Sequence, residues 1–117
     1  MDLRDLVRAL REFDSLGARE WVQEAARSHF NWTATPEPEG LDPEGRAIAA
    51  GIVELLATRA GMAAPAWTRA VAAAPRGIFL VRAAEQMPRL RRACEEDGPE
   101  PLRRRQIFAP PEFLKFA

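Results

Sequence analysis

Of the 55 hydrophobic residues in this 117-residue chain, 22 are alanine, and that ratio bounds the core it can build. Leu, Ile, Val and Phe together number 26, or 22 % of the chain, just above the composition at which sequences stay disordered. A chain of this length reads as one domain, residues 1–117, with a modest core that must lean on three Trp and six Phe. No run of about 18 apolar residues occurs, so no membrane span is expected. No basic segment precedes an apolar one at the N-terminus, so no signal peptide is expected either. A single Cys excludes an intrachain disulfide framework and points to a reducing, cytoplasmic setting.

Seventeen basic side chains oppose seventeen acidic ones, which excludes a bulk polycation of the histone type. The zero is a cancellation. Residues 1–58 hold 6 Arg and 11 acids, a net of −5, whereas residues 59–117 hold 10 Arg, one Lys and 6 acids, a net of +5. Such a chain can hold its own halves together or turn one half to a partner. Sixteen Arg against one Lys, with the alanine excess, is the composition of a GC-rich genome rather than sixteen chosen guanidinium sites.

Hydrophobic spacing predicts an all-α chain of five to seven helices. Leu3, Leu6, Val7, Leu10 and Phe13 make one helical stripe, with Asp2 as N-cap. A second helix reads to about Trp32, with Ala18, Trp21, Val22, Ala25, His29 and Trp32 on one side. Residues 33–41, with two Pro and a Gly, form a loop. Asp42-Pro43 opens a third helix that runs to about Gly61, burying Ile48, Gly51, Ile52, Leu55, Leu56 and Met62. Trp67 to Ala74 is expected to make two helical turns. Ile78 to Val81 reads as a short strand or buried extended segment, paired with residues 106–109. Pro88 opens a helix to about Asp97, Pro101 a turn through Arg105, and Pro111 a last short turn.

Catalytic chemistry is sparse. The seven Gly form no phosphate loop, and one His with one Cys supplies no metal-ligand spacing. No cofactor is expected. His29, between Ala25 and Trp32, reads as a core or interface imidazole rather than a general base. Cys94, on a stripe with Met87 and Leu90, reads as an inert thiol. Glu95-Glu96-Asp97 sits unfavourably at a helix C-terminus, offset by Arg91 and Arg92 through i, i+4 pairs. Arg59 falls on the apolar stripe of the third helix and must either snorkel outward or meet a buried acid or a backbone carbonyl. Arg103, Arg104 and Arg105 fan over about 200° on a helix. One is therefore expected on the core side with Leu102 and two exposed.

The segments Pro65-Ala66-Trp67-Thr68, Ile78-Phe79, Leu90-Arg91 and Pro101 to Phe108, in that order, resemble the region that follows an N-terminal helix-turn-helix domain in transcriptional regulators of high-GC bacteria. The Trp67 and Arg103-to-Phe108 motifs carry most of that resemblance. It implies a partner-binding or regulatory module, antitoxin-like or accessory, whose partner is a protein encoded nearby. With the apolar helix at its start and no short-turn helix pair in its pattern, sequence-specific operator reading is not expected of this chain.

The leading expectation is therefore a small non-enzymatic helical protein that binds another protein, with homodimerisation as an option and no membrane partner. Trp67, Phe79, Arg103, Arg104, Arg105 and Phe108 are the candidate contact residues. The alternative is nucleic-acid binding through the Arg-rich C-terminal half, including Arg89, Arg91 and Arg92.

Overall fold

Short polar caps start the helices where the sequence places them. In the computed structural model, which describes residues 1–116, the Asp2 carboxylate accepts from the Arg4 N–H at 2.9 Å and opens α1, Leu3–Arg11. Asp14 accepts from Gly17 N–H at 2.9 Å and opens α2, Ser15–Arg27. Asp42 does the same for Gly45 N–H at 2.9 Å, with Pro43 as the first residue of α3, Pro43–Arg59. Arg11 Nη1 reaches across to Asp42 Oδ1 at 2.6 Å, tying the end of α1 to the start of α3.

Three helices end in the same way. The residue after the cap turns left-handed, and the next two N–H groups reach back to the last helical turn. After α3 that residue is Gly61, with φ 70°, as its sequence position predicts. After α1 it is Phe13, with φ 56°, while Asp14 N–H bonds the Ala9 carbonyl at 2.8 Å. After α2 it is His29, with φ 53°, while Phe30 N–H bonds the Ala25 carbonyl at 3.0 Å. The second helix therefore stops at Arg27, one turn short of the predicted Trp32. His29 is exposed rather than set in an apolar face. A motif normally signalled by Gly was invisible because His occupies it. Beyond this turn Phe30 stacks edge-on against Trp32 at 4.6 Å between ring centroids and against Trp21 at 5.6 Å. The aromatics thus fill space that alanines leave open.

The third helix is buried all round rather than along one stripe: from Ala47 to Ala57 every residue is buried. Its alanines and Gly51 let neighbours approach closely. A Cβ on Gly51 would lie 2.6 Å from Leu102 Cδ2 and 3.2 Å from the Pro101 carbonyl oxygen. The helix pressed there is α6, Glu100–Arg103, a single turn beginning one residue before the predicted Pro101 and ending short of Arg105.

The remaining elements wrap this axis. Only one turn of α4 forms, Trp67–Ala70. Val71 is extended and Ala74 N–H is drawn to the Arg105 carbonyl at 2.9 Å, which ends the predicted second turn. The expected strand pair is present but shorter: β1, Ile78–Phe79, runs parallel to β2, Ile107–Phe108, with Ile78 opposite Ile107. A 3₁₀ turn over Arg82–Glu85 leads into α5, Pro88–Asp97, which has the predicted bounds. Residues 111–114 form the last short turn expected from Pro111, with Leu114 at φ 61°. The described residues thus hold six α-helices and a two-stranded parallel sheet, an all-α architecture. The radius of gyration, 13.2 Å, is that of a single packed body of this length. Among the described residues no helix is long and apolar enough to cross a membrane.

Candidate functional site: an apolar groove and an arginine cluster

The Arg103–Arg105 triplet folds inward. Arg105 is buried, 4 % exposed, and its guanidinium donates to Glu54 Oε1 at 2.6 Å, to the Thr68 carbonyl at 2.7 Å and to the Pro101 carbonyl at 2.8 Å. Arg104, half-exposed, donates to Glu54 Oε2 and pairs with Glu100 at 3.5 Å. Arg103, half-buried, donates from Nε to the Gly98 carbonyl at 2.6 Å. One Arg of the three is on the core side, as expected, but the other two are held by acceptors of the chain itself.

Glu54 organises this cluster and was missed in the sequence, although its position there is conspicuous. It is an acid inside the run Ile52-Val53-Leu55-Leu56, and it is itself only 7 % exposed. A buried carboxylate needs cationic partners. Only the packing of α6 against α3 shows which arginines supply them.

The other candidate contact residues scatter. Trp67 is half-buried, and its indole N–H donates to the Thr35 carbonyl at 2.8 Å, which pins the 33–41 loop. Phe79 and Phe108 do meet, with ring centroids 5.2 Å apart, and the Arg91 guanidinium covers Phe79 at 4.7 Å. Arg91 and Arg92 also make the predicted i, i+4 pairs with Glu95 and Glu96, at 3.7 and 4.0 Å. Cys94 is buried as expected, and burial pushes its thiol pKa up; Met87, assigned to the same buried stripe, is instead 53 % exposed. Among the described residues no three His, Cys, Asp or Glu side chains gather into a metal-ligand set.

An apolar concavity lies elsewhere, between the α1–α2 turn, the β1–3₁₀ connection and the C-terminal tail. This groove, about 620 Å³, is lined chiefly by Leu10, Phe13, Leu80, Phe113, Leu114 and Phe116; its charged lining residues are Asp14, Arg82, Glu112 and Lys115, the last two paired at 3.3 Å. Two of its walls are held in left-handed backbone, Phe13 and Leu114. Two of its rings stay exposed, Phe13 and Phe116, each at 36 %. The Arg82 guanidinium stacks over Phe13 at 5.0 Å and the Arg19 guanidinium over Phe116 at 5.5 Å. Arg59 settles the shape of the tail wall. Of the outcomes open to it, backbone carbonyls win: Nη1 donates to the Phe113 carbonyl at 2.5 Å and Nη2 to that of Pro111 at 3.4 Å. Burial lowers the Arg59 pKa, in keeping with a half-buried cation that has no carboxylate at hydrogen-bond distance among the described residues.

Arg19, Arg69 and Arg82 take part in no ion pair among the described residues. No family model matches the chain, and comparison with curated proteins and with solved structures returned no significant match.

Proposed function

We propose that this chain is a non-enzymatic protein-binding module whose groove takes an amphipathic helix of a partner, apolar on one face and acidic at its flank. The observation that carries this reading is the convergence of strain and exposure on one surface. Phe13 is a bulky residue at φ 56°, held exposed at the mouth of a groove whose opposite wall contains a second strained apolar residue, Leu114. Backbone strain of about 1–3 kcal/mol per residue persists where the surrounding structure over-determines it, and such residues concentrate at binding sites. Exposed aromatic rings supply the anchors such interfaces use. The acidic flank is argued from Arg82, a lining residue that stacks over Phe13 and makes no ion pair among the described residues. The resemblance to the segment behind the helix-turn-helix domain of regulators supports a regulatory or accessory role, with the partner encoded nearby.

Helical peptides with an apolar face and either Glu or Lys flanks test the proposal. The wild type is expected to bind the Glu-flanked series, and Arg82→Glu to reverse the preference. Phe116→Ser should weaken both series while leaving the thermal melt unchanged. Equal binding of the two series by wild type, or a preference untouched by Arg82→Glu, overturns it.

A further inference from the structure

The arginine cluster has an excess of charge that its own acids do not neutralise. Between the extended segment after α4 and the turn after α6 lies a pocket of about 320 Å³, lined by Arg69, Val71, Ala73, Arg104 and Arg105. Three arginines line it; Glu54 engages Arg104 and Arg105, and Glu100 also pairs with Arg104 at 3.5 Å. Arg69 is exposed and unpaired among the described residues. Arg105 is fixed in place by four acceptor contacts, yet its Nε is a buried polar atom with no hydrogen-bond partner. Against Glu54 and Glu100, the three cations leave one positive charge in excess.

We infer that this pocket binds a small phosphoryl dianion, the free phosphate or the terminal phosphate of a mononucleotide. The excess positive charge suits an anion such as a phosphate monoester, which carries roughly −1.5 to −2 at neutral pH. Planar guanidiniums hold tetrahedral oxyanions through paired N–H donors, and partial withdrawal from water strengthens each such bond. The Glu54 pair holds Arg104 and Arg105 in position, so little side-chain ordering remains to be done on binding. The three arginines line a single pocket of about 320 Å³. That favours a discrete anion over the backbone of a nucleic acid, whose neutralisation needs cations strung along its length. This inference is independent of the groove, which lies on other elements.

Calorimetric titration of the whole chain with inorganic phosphate and with a 5′-mononucleotide tests it, at constant ionic strength set with chloride. Arg69→Gln removes a donor that makes no ion pair in the fold, and Ala73→Glu places a carboxylate at an exposed lining position. Both variants should melt like the wild type and bind phosphate about tenfold more weakly, the loss expected of one charge-assisted hydrogen bond. Equal affinity for phosphate and mononucleotide identifies the free anion as ligand; tighter mononucleotide binding identifies the nucleotide. Either result supports the site. Absence of phosphate and mononucleotide binding by the wild type overturns it, as does binding unaffected by both variants. Binding of a DNA duplex while both small ligands are inert also overturns it.

Discussion

Glu54 and Arg105, 51 residues apart in sequence, form a buried ion pair at 2.6 Å that joins the central helix to the turn after α6. Their side chains are 9 % and 5 % exposed, so neither charge has water to fall back on. Arg105 also holds the carbonyls of Thr68 and Pro101, so one guanidinium connects α3, α4 and α6. The first prediction concerns this pair. Glu54→Ala strands Arg105 in the interior and should cost about 3–5 kcal/mol. The double variant Glu54→Leu/Arg105→Met replaces both charges by apolar groups and should recover much of that loss. Urea unfolding of the two variants measures it; a double variant no more stable than Glu54→Ala would refute the argument.

Gly51 is required by its neighbour. With Pro101 and Leu102 already at contact distance, Gly51→Ala should destabilise by about 1–3 kcal/mol through overpacking, despite the better helix propensity of alanine. A denaturant midpoint equal to or above that of the wild type would show that α6 yields without cost.

His29 should give the opposite result. It holds φ 53° on an exposed surface, so His29→Gly relieves left-handed strain and gives up no buried contact. The expected gain is about 0.5–1 kcal/mol after subtracting the entropy that glycine adds to the unfolded chain. A thermal melt raised by a few degrees is the readout. The same change at Phe13 removes a groove ring, so it should alter peptide binding as well as stability.

Acid stability should depend on the two capping aspartates. The Arg4 side chain and backbone N–H hold the Asp2 carboxyl at a pKa of about 2, below its ordinary 3.8. The Arg11 guanidinium and the Gly45 N–H lower that of Asp42. Both folded values lie below the unfolded ones. Their contribution is therefore complete above about pH 4 and is lost as pH falls toward 2. Asp2→Asn and Asp42→Asn retain a cap but not a titrating charge. Melts across that acid range should fall less steeply for the two variants than for the wild type; parallel curves would remove these residues as the cause.

The helix starts were legible because their causes are local. Asp2, Asp42 and the Pro residues act on the backbone within one turn, so α1, α3 and α5 begin where their sequences indicate. The left-handed turn at Gly61 was legible for the same reason. His29 and Phe13 were not, because a side chain with a Cβ in that conformation is tolerated only when the surrounding packing compels it. The groove was equally hidden. Leu10, Leu80 and Leu114 come from three distant segments, and no spacing rule brings them together.

By itself the sequence determined an all-α chain with a core short of large aliphatics, which had to lean on its Trp and Phe. Tertiary structure decided how that shortage is met. Gly51 in the central helix admits α6, and the aromatics divide among a packed Trp21-Phe30-Trp32 cluster, the Phe79–Phe108 pair, the groove and Trp67 against the 33–41 loop. It also decided which of sixteen arginines are structural and which are free. Burial and pairing are properties of three-dimensional neighbours, and the charges that cancel along the chain need not cancel in any one pocket.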